Sequence, residues 1–142
     1  MKTSSTHWAY AAAAIAGLGV LIHAGALWGG PAWYRYFGAP PFVVRSAQQG
    51  TWLAPVGALC IAAAMGLCGL YALSALGHLR RLPLLRTGLA LMAVVCLLRA
   101  LVLIPLAFSY PGLLNTFEVT AALVWGLAGV GFAQAGRLAR KV

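Results

Sequence analysis

Three ionisable side chains stand in stretches that are otherwise apolar: Arg99, Glu118 and His23. Arg99 lies within Cys96-Leu97-Leu98-Arg99-Ala100-Leu101-Val102-Leu103-Ile104-Pro105. That stretch reads as part of a membrane helix, and a guanidinium keeps its charge there. Glu118, the only acidic residue, follows a short connection later at the start of the next apolar segment. An arginine at the centre of a spanning helix costs roughly 2.5–3.5 kcal/mol on insertion scales. Three arrangements would offset that cost: snorkelling to a phosphate, pairing with Glu118, or lining a wet cavity. An intramembrane ionisable residue is a functional-site candidate by default. The alternative is a structural Arg99–Glu118 pair that fixes helix register, and both readings predict harm from Arg99→Leu. His23 is either a hydrogen-bonded packing residue or a third member of a site. Such a site would take an anionic headgroup or a carbonyl-bearing molecule such as a quinone.

Other chemistry lacks its residues. There is no second carboxylate for acid–base work, and no acid at all in the first two apolar segments, which speaks against a proton-coupled exporter. No Gly-rich phosphate loop and no GxSxG elbow occurs. Cys60, Cys68 and Cys96 form no CxxC and no zinc spacing, and read as small apolar residues at helix contacts. The expectation is a protein without catalytic residues, metal or cofactor.

The elements that must position these side chains follow from composition. Of 142 residues, 63% are hydrophobic and 8% charged, with mean hydropathy +0.91. A soluble domain carries about a quarter charged residues. The net charge of +9 would suggest nucleic acid in a soluble protein, but here the basic residues sit mostly at segment ends and no basic face is interleaved with stacking aromatics. The reading is an all-α, polytopic membrane protein. It comprises a single domain of four transmembrane helices over about 8–28, 51–77, 87–108 and 116–136, each near the ~20 residues a span requires.

The first run, Trp8 to Trp28, follows Lys2, and His23-Ala24-Gly25-Ala26 offers small residues for signal cleavage. Its spanning length and an even helix count favour a retained span. Ala12/Ala16 and Ala13/Gly17 here, Ala58, Ala62 and Gly66 in the second helix, and Gly126, Gly129 and Ala133 in the fourth have spacing that lets helices approach closely. Residues 29–50 form the longest connection, an aromatic loop read either as an interfacial belt or as a lid. Phe42 to Gln49 within it suits a short interfacial helix ending at Gly50. Asn115 or Thr116 is placed to cap the fourth helix, with Glu118 in its first turn.

Basic residues set the topology. Arg80, Arg81 and Arg86 flank the second connection, and Arg137, Arg140 and Lys141 end the chain. The first connection holds Arg35 and Arg45 over a longer span, and the third holds none. The positive-inside rule then puts both termini and the 78–86 turn in the cytoplasm, in an up-down bundle. At 1.5 Å per residue, Arg99 lies roughly 18 Å and His23 roughly 22 Å from the cytoplasmic ends of their helices. Both fall in the outer half of a core about 30 Å thick, the leaflet where Glu118 starts its helix. Trp33, Tyr34 and Arg35 of the aromatic loop complete this candidate ligand site.

Four short helices with Gly30-Pro31-Ala32-Trp33-Tyr34-Arg35-Tyr36-Phe37-Gly38 after the first resemble small bacterial inner-membrane proteins, with a layout similar to the DoxX-like group. The resemblance rests on architecture and Tyr36-Phe37-Gly38. It implies a multi-pass protein of the bacterial inner membrane and no activity. Two roles are expected. One is an accessory protein that binds a membrane-protein partner or a second copy of itself. The other is a binder or transporter of a lipid, quinone or other small molecule. A weaker third reading is an enzyme subunit handling a lipid or quinone.

Overall fold

The computed structural model describes residues 2–139, with the side chains of Lys2, Thr3 and Leu113 left aside. Arg140 and Lys141, counted above toward topology, lie outside the described residues. The described residues are helical with no strands. The elements are α1 (Lys2–Tyr36), α2 (Pro41–Gln48), α3 (Leu53–Ala75), α4 (Leu85–Leu101), α5 (Leu103–Ser109), a 3₁₀ turn (Pro111–Leu113) and α6 (Thr116–Leu138). Four stretches are long and apolar enough to cross a membrane: Ser4–Tyr36, Leu53–Ala75, Leu85–Ser109 and Thr116–Leu138. The chain divides into two compact units, Met1–Ala16 with Cys68–Val142, and Gly17–Leu67, so the boundaries fall inside α1 and α3.

In the first unit the buried face of each helix is marked by residue size. Spanning helices are apolar on every side, so polarity does not mark the inward face. Leu85, Leu89, Ala93 and Cys96 on α4, and Ala128, Phe132, Ala135 and Ala139 on and after α6, recur at helical spacing and form one core with Ala9, Ala12, Ala72 and Ala75. Leu89 is the largest side chain buried completely. The helices therefore meet through small residues, which let backbones approach and gain dispersion contacts in lipid. A Cβ added to Gly131 would sit 2.6 Å from the Trp8 carbonyl oxygen and 2.7 Å from Ala12 Cβ. One added to Gly129 would sit 2.7 Å from Leu97 Cγ. Leu89 meets Gly136, Leu97 meets Gly129 and Ala100 meets Gly126, so α4 and α6 pass each other in opposite directions.

The third span is interrupted at Val102. Pro105 has no N–H to give the Leu101 carbonyl and its ring crowds that oxygen. The backbone bonds Val102 N–H to Leu98 O (3.1 Å) and Leu106 N–H to Val102 O (3.2 Å) bracket the break. At the other end of α4, the connection from α3 is held by side chains. Ser74 Oγ donates to Arg80 O and accepts from Leu82 N–H, both at 3.1 Å, and Tyr71 Oη donates to Pro83 O at 3.0 Å.

In the second unit the expected loop over 29–50 is largely helical. Gly30 adopts φ 60°, ψ −157°, a conformation that in practice only glycine takes. Pro31 then starts a new helical turn, where its missing N–H costs little. The chain turns back on itself, laying the Trp33 indole against Gly25 and Gly29, and Trp33 Nε1–H donates to Ile22 O at 2.9 Å. The cause of the difference is local: the glycine pair turns the chain, and Pro31 restarts the helix. α2 packs Val43, Val44 and Ala47 against a core of Ala26, Tyr34, Ala54 and Ala58. Ser46 Oγ, buried, shares a 2.6 Å bond with Thr51 Oγ1 and accepts from Ala54 N–H at 3.0 Å, so it caps α3 from outside that helix.

A methyl at Gly131 meets backbone that cannot rotate away. Gly131→Ala is expected to lower stability by about 1–3 kcal/mol, the usual cost of overpacking. Gly57→Ala, with nothing within 4 Å of the added carbon, should be neutral or stabilising. Thermal unfolding of both variants in detergent, followed by circular dichroism, checks the contrast.

Candidate functional site

Arg99 occupies the last turn of α4 and Glu118 the first turn of α6. Each charge suits its helix end, a cation near exposed carbonyls and an anion near exposed N–H groups. The cap is Asn115, whose extended backbone lets Oδ1 accept from Glu118 N–H at 2.9 Å. This bond fixes the first turn of α6 and so the base from which the Glu118 side chain reaches α4. Arg99 Nη2 donates to Glu118 Oε2 at 3.2 Å. One nitrogen meets one oxygen at a distance longer than the 2.7–2.9 Å of strong charged bonds. The two side chains are 36% and 25% exposed. The pair is therefore neither a bidentate lock nor sealed in the core. Glu118 anchors one edge of the guanidinium, and the other N–H groups point to no acceptor among the described residues.

The remaining predicted residues lie in the second unit. His23 Nδ1 is 2.8 Å from Gly19 O. A carbonyl only accepts, so Nδ1 carries a proton and donates it to this bond. Trp33 spends its one donor on Ile22 O, and Tyr34 is buried in the core of its unit. Arg35 is exposed on the last turn of α1. Of the six residues, the structure brings Arg99 and Glu118 together.

Two further polar contacts carry no sequence signal. Tyr10 Oη lies 2.6 Å from His78 Nε2, across 68 residues of chain. Ser5 Oγ donates to Gln134 Oε1 at 3.1 Å, across 129. Both join α1 to distant parts of the first unit, and no local spacing marks such pairs. Cys60 is exposed, Cys68 half-buried and Cys96 buried, all as free thiols. Among the described residues no three His, Cys, Asp or Glu side chains are grouped as a metal would need. No family model matches the chain, and no curated protein or solved structure matches it.

The geometry sets the size of the ion pair's contribution. A double-mutant cycle on Arg99→Leu and Glu118→Leu should give a coupling near the values measured for polar pairs between membrane helices, about 0.6 to 1.7 kcal/mol. Unfolding free energies of the two single variants and the double variant in mixed micelles read it directly. A coupling several times larger would mean that the pair is sealed from its surroundings.

Proposed function

We propose that this chain is a multi-pass protein of the bacterial inner membrane that binds a membrane-borne molecule through Arg99, with Glu118 as the residue that positions the guanidinium. The carrying observation is the single Arg99–Glu118 bond on a part-exposed guanidinium. A group with donors to spare takes an acceptor: a phosphate, a carboxylate or a carbonyl. Val95 and Val102, about one helical turn either side of Arg99, are exposed, so an apolar body carrying that acceptor head has surface to lie on. The role is binding, with transport as its extension, rather than chemistry.

An up-down arrangement with both termini and the 78–86 turn on the cytoplasmic side goes with this reading. Its support is the opposed order of the contacts between α4 and α6, together with the basic residues Arg80, Arg81, Arg86 and Arg137 at one end of the first unit. An accessory role toward a membrane-protein partner or a second copy draws on the same exposed Arg99, which a partner's acceptor could equally meet. The small-residue stripes favour it less. Ala12, Ala16, Ala58 and Ala62 are buried within the chain, and Gly66 lies against Val20.

Native mass spectrometry of the full chain, released gently from its own membrane, tests the reading. The expected result is a retained small molecule or lipid on the wild type that is lost from Arg99→Gln, with the variant's melting behaviour preserved. A stoichiometric protein in its place would replace ligand binding by the accessory role.

A further inference from the structure

The connection between α3 and α4 concentrates positive charge that no acidic side chain neutralises among the described residues. Arg80 and Arg81 are exposed on it, and Arg86 is exposed on the first turn of α4. Arg137 lies near the end of α6, where Ala135 and Ala139 share a core with Leu85 and Leu89. The chain contains one acidic residue, Glu118, and its bond goes to Arg99. No carboxylate side chain is left for this end of the unit.

Charge alone would follow from topology. Two structural features go further. First, the backbone is clamped before any partner arrives. Ser74, a buried residue, holds Arg80 O and Leu82 N–H, Tyr71 holds Pro83 O, and His78 N–H bonds Leu73 O at 3.1 Å. Second, Leu84 sits at φ 52°, the one non-glycine residue with positive φ among those described, and its side chain is 78% exposed. A leucine in that conformation is strained. Here the strain accompanies an apolar side chain held away from the core. Leu79 is exposed as well. The result is a rigid turn presenting arginines between projecting leucines.

We infer that this turn binds anionic phospholipid, with headgroup phosphate oxygens on Arg80, Arg81 and Arg86 and with Leu79 and Leu84 set among the acyl chains. The turn joins two stretches able to cross a membrane, Leu53–Ala75 and Leu85–Ser109, so it lies at a bilayer face whichever way the chain is oriented. Charge complementarity selects the lipid: a zwitterionic headgroup brings its own cation, whereas an anionic one leaves the phosphate charge to the arginines. Guanidinium suits phosphate through its planar fork of donors. A clamped backbone reduces the ordering cost of binding. The site is separate from Arg99 and does not depend on the ligand proposed there.

The test uses the full chain in nanodiscs of phosphatidylcholine doped with phosphatidylglycerol, with lipids retained after release counted by native mass spectrometry. The wild type should retain phosphatidylglycerol above its share of the disc. Arg81→Gln should weaken that preference about fivefold, as expected for one basic residue near an anionic surface, and Arg80→Gln with Arg81→Gln more. Leu84→Gly relieves the backbone and removes the anchor, and should lower retention without lowering the melting temperature. Arg45→Gln, which removes one exposed charge from the second unit, should leave the preference intact, which separates the turn from the effect of net charge. Raising salt should weaken the wild-type preference without any substitution. No enrichment in the wild type overturns the inference, as does full enrichment in the double arginine variant. So does an acidic protein segment that occupies the turn in place of lipid.

Discussion

Helices in lipid gain nothing by hiding apolar surface from one another, because the tails around them are equally apolar. Association has to come from packing, and packing depends on how closely two backbones can come. In the first unit that distance is set by glycine and alanine. Gly131 admits the Trp8 carbonyl and Gly129 admits Leu97. Leu89 is the largest side chain enclosed completely. Large apolar side chains such as Leu91, Leu98, Leu123 and Phe108 point outward. This departs from the soluble pattern, in which large aliphatic and aromatic side chains make up most of the core. Close helices leave polar groups little room between them.

Polar groups accordingly gather where helices start, stop or turn. Ser74 and Tyr71 hold the connection to α4, Ser46 caps α3, and Asn115 caps α6. Trp33 uses its indole N–H on Ile22 O at the Gly30 reversal. The bonds to Pro83 O, Arg80 O, Ala54 N–H and Glu118 N–H pair backbone groups at helix ends and turns, outside the regular helix ladder. Arg99 follows the same logic. Its position in the last turn of α4 is next to the interruption that Pro105 imposes, within reach of the first turn of α6.

These causes explain which features were legible in the sequence. The four spans were, because a run of about 20 apolar residues has few other uses. A cap at Asn115 or Thr116 and a short helix before Gly50 were also legible, because capping and turn chemistry act over a few residues. The proximity of Arg99 to Glu118 could be anticipated from a short connection and a lone acid. The inward faces were harder to read, since polarity does not vary around these helices and small-residue spacing occurs on more than one side: Ala16 is buried, whereas Gly17 has nothing near it. The return of Trp33 onto Gly25 and Gly29 depends on one dihedral pair at Gly30, and hydropathy carries no trace of it. Tyr10 with His78 and Ser5 with Gln134 depend on packing across the whole unit.

The ion pair fits its place better as a positioning device than as a lock. A lock would use both carboxylate oxygens and lie sealed from its surroundings, and its removal would cost several kcal/mol. Here one oxygen meets one nitrogen at 3.2 Å, and both side chains remain partly exposed. Asn115 holds the turn that carries Glu118 through the Glu118 backbone N–H. Glu118 can then hold Arg99 against the bundle while leaving the remaining donors directed away from it. A purely structural pair would gain from a second bond. Under the proposed function, the remaining donors in an apolar setting are a standing cost that an acceptor from the membrane would relieve.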